Sequence, residues 1–271
     1  MTGTYVWNGA YRLGRLGPMD GPGVYARNAA AMWASQAPWA RVVPRTPPGL
    51  LVVHIPAQPT FRVILRERFA ADPGHIGAIL AQTSGRVVVE DAFGSLRLHA
   101  GDHVAIDRMP VMVKPAGAVP LTGIRPGVRV VQASTGSTLG QAEKVIVDGF
   151  PQPALQPYRP GRSLPPALHT VPGWRVWLAY HEGEPAAACC TYDDGTAVGV
   201  YWLATLRQHR SRGLGRAVMT AALTATQDRP ATLVATAAGQ PLYSSLGFHP
   251  VSTAAWYRKP GGTDPAWPGC P

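Results

Sequence analysis

The chain has 271 residues, 46% of them hydrophobic and 15% charged, enough apolar material for one large or two modest cores and too much for wholesale disorder. Its formal charge of +10 comes from 22 arginines and only three lysines, spread along the chain rather than clustered, so a dispersed basic surface is read over a nucleic-acid footprint. Three cysteines, two of them adjacent, cannot staple a fold of this size or space a zinc site, and with no leader pattern and no apolar run near ~18 residues the expectation is a soluble cytoplasmic protein without a membrane partner.

Pro and Gly punctuate the chain, most densely between Lys114 and Gly127. Splitting there predicts an N-terminal α+β domain at 1–115, a linker at 116–127, a second domain at 128–260 and a disordered tail at 261–271. In the first half a helix is predicted over 24–35, followed by apolar strands at 50–55 and 61–65. Asp72-Pro73 supplies an N-cap and a first-turn proline for a helix through Ala81. Strand-like runs follow at 86–90, 95–99 and 109–114.

The second half is more legible. A strand at 128–133 precedes a helix ending near Gly149, with Thr138 and Gln141 as its capping box. The Pro/Gly-rich segment 151–173 is too long for a tight connection and reads as an ordered functional loop. Strands are predicted at 174–180 and 185–192, and the Asp193-Asp194-Gly195 turn leads into a third at 197–205. A helix begins at 213–216 and runs to about Thr226, with Leu214, Val218, Ala221, Ala222 and Ala225 at helical period. A short strand at 232–236 and a helix containing Tyr243 complete the series.

The chemistry concentrates where the 197–205 strand meets that helix, at Arg210-Ser211-Arg212-Gly213-Leu214-Gly215-Arg216. The first turn of a helix has backbone N–H groups without intrahelical partners, and its dipole favours an anion. Glycines let the main chain approach phosphate oxygens, and the arginines add counter-charge. The loop is not a P-loop, because no Gly-Lys-Ser/Thr ends it, nor a dinucleotide fingerprint, because the third glycine is missing.

This loop resembles the glycine signature of the GNAT superfamily of acyl-CoA-dependent N-acetyltransferases, with Arg210, Gly213 and Gly215 on the matching positions. Tyr243-Ser-Ser-Leu-Gly-Phe248 resembles the family's second motif, and the order of elements across 128–259 is similar as well. The resemblance implies an α/β fold, with a mixed central sheet flanked by helices in the C-terminal domain. It covers the second half only. The first half is read as a degenerate tandem copy without a glycine loop, an unrelated substrate-covering domain being the alternative.

The resemblance also implies the site. Backbone amides of Arg212, Gly213, Leu214, Gly215 and Arg216 would hold the pyrophosphate of acetyl-CoA as co-substrate. The pantetheine arm would pair along Leu203, Ala204 and Thr205, with a backbone N–H near Leu203 facing the thioester carbonyl. Tyr243 matches the position from which many members protonate the departing thiolate; a packing tyrosine is the other reading. Two departures stand out: the 197–205 strand has no carboxylate to serve as base, and Thr236 stands where the family often has asparagine. Asp193, Asp194, His181 and His209 are the remaining base candidates, each with a plain reading as a turn or loop residue. One of Cys189 and Cys190 is read as core, Trp174, Trp177 and Trp202 likewise, while Trp33 and Trp39 could line an acceptor groove. The function that follows is acetyl transfer to a primary amine of a small molecule or peptide; the alternative is a non-catalytic acyl-CoA-binding sensor or scaffold.

Overall fold

Adjacent apolar residues along the strands, such as Val52 and Val53 or Cys189 and Cys190, leave no polar side, so both faces of the sheet they form must be covered. The computed structural model describes residues 21–36, 39–44, 46–58, 60–68, 73–83, 85–98, 105–119, 125–150 and 155–259. In chain order the elements are α1 (Gly21–Ser35), β1 (Arg41–Val42), β2 (Leu50–Ile55), β3 (Thr60–Leu65), α2 (Pro73–Gln82), β4 (Arg86–Asp91), β5 (Ala105–Lys114), β6 (Val128–Gln132), α3 (Gly136–Gly149), β7 (Trp174–His181), β8 (Glu184–Asp193), β9 (Val198–Thr205), α4 (Leu214–Thr224), β10 (Ala231–Val234), α5 (Gln240–Ser245) and β11 (His249–Lys259). The strands form one eleven-stranded sheet in the order β1-β2-β3-β4-β11-β5-β10-β9-β8-β7-β6.

Helices cover both faces. On one, Ala26, Ala29, Met32 and Trp33 of α1 and Leu139, Ala142, Val145 and Ile146 of α3 join Val53, Ile64, Leu178 and Cys190. On the other, Ile76 and Leu80 of α2 pack on Val52, Val63, Val87 and Val89. There too Leu214, Val218 and Ala222 of α4 pack on Trp177, Ala187 and Cys189. The two adjacent cysteines therefore serve opposite cores, and burial pushes both thiols well above their ordinary pKa.

The strand order contains a near-repeat. Among the described strands only β3–β4 and β9–β10 are parallel, joined by the crossover helices α2 and α4 respectively. Each parallel pair is flanked by the closing strand of the other half: β11 lies against β4, and β5 lies against β10. β5 and β11 then pair antiparallel at the centre, over a register from His249↔Val113 to Arg258↔Ala105. The two halves thus share one continuous sheet.

The parallel pairs differ in one respect that positions the site. β3 and β4 pair over five positions, from Thr60↔Arg86 to Ile64↔Glu90. β9 and β10 pair only at Ala231↔Val198 and Thr232↔Gly199, and then diverge. A cleft therefore opens between β9 and β10 in the second half alone.

Several local expectations need correction. Residues 95–98 are irregular rather than a strand, because Asp91 accepts from the N–H groups of Phe93 (2.9 Å) and Leu96 (2.7 Å) and curls the chain back. The capping box of α3 lies three residues earlier than read, with Thr135 as N-cap and Thr138 at N3. β11, an eleven-residue strand, was not foreseen. Asp72 and the tail 261–271 lie outside the described residues. Within 151–173, the part from 155 onward is ordered by one carboxylate. The buried Glu143 of α3 accepts from the N–H groups of Gly161 (2.7 Å), Ser163 (2.6 Å) and Leu164 (2.9 Å) and from the Tyr158 hydroxyl (3.2 Å).

Candidate active site

The glycine loop has the backbone its sequence demands. Ser211 (φ 61°) and Gly213 (φ 79°) are left-handed, and Gly213 is the N-cap of α4. A side chain at Gly213 would be strained by that φ. The Leu214 side chain is buried in the core beneath α4, so its peptide group is what it offers a ligand. A Cβ on Gly215 would sit 3.5 Å from the side chains of Thr205 and Leu242. Arg212 is exposed, while Arg216 donates to Ser245 Oγ (2.5 Å) and ties α4 to α5.

Arg210 is held by two backbone carbonyls. Its Nε donates to the Thr205 carbonyl (3.3 Å) and its Nη2 to the Gly149 carbonyl (3.4 Å), pinning the loop to the ends of β9 and α3. Gly149 approaches β9 so closely that a Cβ there would sit 3.0 Å from that of Ala204. Sequence reasoning missed Arg125, whose Nε would lie 3.6 Å from a Cβ on Gly213. Nothing local to Arg125 signals this, since it comes from the segment read as a linker. The left-handed cradle at the helix N-terminus, with arginines around it, fits a diphosphate chemically.

β9 carries a bulge. Its register against β8 shifts between Ala188 and Cys190, opposite the step from Tyr201 to Ala204, and Trp202 adopts φ 54°. A left-handed tryptophan costs about 1–3 kcal/mol and persists only where packing enforces it. Here Trp33 and Trp174 hold the ring at centroid distances of 6.0 and 6.1 Å. Beyond the bulge Ala204 and Thr205 pair with Ala188 and Ala187 on one edge. Leu203 packs between the α4 and α5 sides of the core. The β10-facing edge of this stretch has no strand partner among the described residues, which is the edge an extended ligand arm would need.

A cavity of about 420 Å³ opens where the two halves meet, beneath α1. Tyr25, Trp33, Tyr201, Trp202 and Trp256 give it an aromatic lining, and Glu90 and Asp107 are its carboxylates. Glu90 is ion-paired with Arg62, whose guanidinium lies 4.4 Å from the Trp33 ring centre, and Asp107 is ion-paired with Arg258. Trp202 packs against the core and also faces the cavity, Trp33 lines it too, and Trp39 does not.

None of the sequence-level base candidates lines this cavity. Asp193 pairs with Arg229, and Asp194 holds the hairpin turn through Thr196 and Ala197 N–H groups at 2.7 and 2.8 Å. His181 and His209 meet edge-on with ring centres 5.5 Å apart, and neither lines the cavity. Both cavity carboxylates come from the first half, which the second-half motifs gave no means of locating. Tyr243 does not line the cavity, but a Cβ on Gly239 would meet both its ring and the hydroxyl of the wall residue Thr236. Its ring packs among Met112, Val200, Leu246 and Phe248, and burial pushes its phenol well above the ordinary value. Among the described residues there is no cluster that could hold a metal ion and no helix long and apolar enough to cross a membrane.

Residues 172–250 match the family model for the acetyltransferase (GNAT) domain. Solved structures of similar fold span both halves of the chain. A GCN5-related N-acetyltransferase from Kribbella flavida is 20% identical, with a TM-score of 0.60 over 88% of this chain and 96% of that one. A conserved protein of unknown function from Staphylococcus epidermidis is 12% identical, with a TM-score of 0.57 over 84% and 99%. A putative GNAT-family acetyltransferase from Novosphingobium aromaticivorans is 16% identical, with a TM-score of 0.52 over 81% and 91%. No curated protein matches the chain in sequence.

Proposed function

We propose that this chain, which carries an acetyltransferase (GNAT) domain at residues 172–250, transfers an acetyl group from acetyl-CoA to a primary amine of a small molecule or peptide. The observation that carries the reading is the coincidence of three features at one place. The splayed β9–β10 pair, the bulge at Trp202 and the left-handed glycine loop all converge on the end of β9. Bound there, acetyl-CoA would supply an activated acyl group as its thioester. The chain's part is to hold and orient: peptide groups from Arg212 to Arg216 face the diphosphate, and the unpaired edge of Leu203–Thr205 receives the extended arm. The 420 Å³ cavity on the α1 side receives the amine and sequesters it from water.

In this reading the amine attacks directly in a ternary complex. An alkylamine with pKa ~10.4 must lose a proton first, so a base or water path has to reach the cavity. Tyr243 is the candidate acid for the departing thiolate: burial keeps its phenol protonated at neutral pH. The N-terminal half is read as a degenerate copy of the same domain. Its parallel pair β3–β4 is zipped closed where β9–β10 is open, and residues 66–75 contain no Gly-x-Gly.

One observation favours the second reading, an acyl-CoA-binding sensor: the base candidates expected from sequence all lie outside the cavity. A thiol-release assay with acetyl-CoA and a panel of primary amines decides between them. Amine-dependent release supports the enzyme, whereas tight acetyl-CoA binding without release against any amine supports the sensor.

A further inference from the structure

At neutral pH an alkylamine enters a site as an ammonium ion, so a carboxylate within reach of the β9–β10 opening would both attract and orient it. The cavity has two, Glu90 on β4 and Asp107 on β5. Both pair in register with Trp256 of β11, one on each side, and so lie at the same level along the sheet. Strand order separates them. Counting from β10, β5 is the adjacent strand, β11 the second and β4 the third. At about 4.8 Å per strand, Glu90 stands about 10 Å further from the opening than Asp107.

Asp107 also lies at the open end of the cleft. β9 and β10 pair only near their starts and diverge beyond. β10 keeps its pairing with β5 as far as Val234↔Val111, and the Ala235 N–H still donates to the Pro110 carbonyl (2.9 Å). β5 runs antiparallel to β10, so Met109 and Asp107 continue from there toward the side where Thr236 and Ala237 line the cavity. Alternation puts both on the face of Val111, which belongs to the core beneath α1.

Exposure divides the two carboxylates in the same way. Glu90 is 3% exposed, enclosed by Arg62 and the Tyr25 hydroxyl (3.4 Å), whereas Asp107 is 29% exposed. Arg258 engages Asp107 through Oδ2, which leaves Oδ1 of the same carboxylate as a second acceptor. The other arginines of the lining stand elsewhere. Arg62 and Arg86 belong to β3 and β4, beyond β11 as seen from the opening. Arg108 pairs with Ala255, a residue of the core beneath α2, so its side chain belongs to the opposite face.

Resting on the acetyltransferase reading above, we infer that Asp107 is the binding group for the acceptor's ammonium, supplied by the first half of the chain to a reaction centre in the second. Its Oδ1 accepts from the ammonium at the mouth of the cleft and holds the nitrogen on the β10 side of the cavity, facing β9. The acceptor site is then incomplete without β5, and the first half contributes binding chemistry as well as cover.

The test uses the full chain with tryptophan fluorescence as the readout, since Trp256 lies opposite Asp107. Two probes differ only in the charged group: 2-phenylethylamine and 2-phenylethanol. The amine is expected to bind at least about tenfold more tightly, with an advantage that shrinks as salt rises. Asp107→Asn is expected to bring the two probes within about twofold of each other, and Asp107→Glu to restore most of the preference. Arg258→Gln, which breaks the same ion pair from the other side, is expected to keep the preference because the carboxylate remains. A merely structural ion pair would instead make Asp107→Asn and Arg258→Gln alike. If Asp107→Asn alone does not fold, the double variant with Arg258→Gln removes both charges and carries the same comparison. Equal affinities for the two probes in the wild type, binding of neither, or an amine preference that survives Asp107→Asn would overturn the inference. Acetyl-CoA titrated into the same sample reports on the parent reading separately: its failure to bind removes the acetyltransferase assignment, while the probe preference still decides whether Asp107 takes an ammonium.

Discussion

Asn28 is the joint between the N-terminal helix and the strand pair that forms the cleft. It is fully buried on α1; its Nδ2 donates to the Tyr192 carbonyl (3.2 Å), Asp194 Oδ2 (2.9 Å) and the Ala197 carbonyl (3.0 Å), and its Oδ1 accepts from the Tyr201 hydroxyl (2.6 Å). Asn28→Leu keeps the volume and removes every one of these bonds. The fully buried Tyr201 hydroxyl then loses its acceptor, at a cost of about 1–3 kcal/mol, and the charge-assisted bond to Asp194 is worth about 1.5–3 kcal/mol. The Ala197 carbonyl retains the Asp194 N–H (3.2 Å) and adds little. A loss of about 3–4 kcal/mol follows, read as a lower urea midpoint at unchanged m-value. Adding Tyr201→Phe removes the orphaned hydroxyl, so the double variant should recover about 1–2 kcal/mol relative to the sum of the single changes. A single variant within about 0.5 kcal/mol of wild type, the range of an ordinary surface change, would show that α1 is not held this way. Strict additivity would show that Tyr201 and Asn28 are not coupled.

Two further outcomes follow from the phenols of Tyr158 and Tyr243. Burial and the Glu143 carboxylate push Tyr158 up to about 12, so the fold favours its neutral form. That contribution to stability is complete below the ordinary value of ~10 and is lost as pH rises through the window up to about 12; Tyr158→Phe should flatten the stability curve there, and an unchanged curve would separate Tyr158 from Glu143. Tyr243→Phe should lower amine-dependent thiol release by about a hundredfold, the low end of general-acid contributions, without weakening acetyl-CoA binding; unaltered release would leave Tyr243 as a packing residue beside Phe248, whose ring centre lies 6.0 Å away.

What the sequence disclosed was local. The glycine loop was readable because the end of a strand, a glycine pair and a helix start are written in adjacent residues, and α4 does begin at Leu214 with Gly213 as its N-cap. The Asp193-Asp194-Gly195 turn was readable for the same reason: Asp194 closes it on its own near neighbours. Relations between the halves were not. β5 sits between β10 and β11, strands more than a hundred residues further on, and no period along the chain encodes that exchange. Trp202 illustrates the limit within one strand. Alternation places it by counting from Tyr201, but the bulge breaks the count and turns its ring into the cavity wall. Glu90 and Arg258 stand in unremarkable strand patterns, and only the pairing of β4 with β11 makes them one surface.

The central claim is that the end of β9 and the start of α4 hold acetyl-CoA. Isothermal titration of the full chain with acetyl-CoA, beside Gly213→Glu, tests it most directly. The variant forces a side chain onto a left-handed backbone and sets a carboxylate where the diphosphate would lie. The account predicts micromolar binding by the wild-type protein and none by a folded Gly213→Glu. Absence of binding by the wild type, or undiminished binding by the variant, would contradict it.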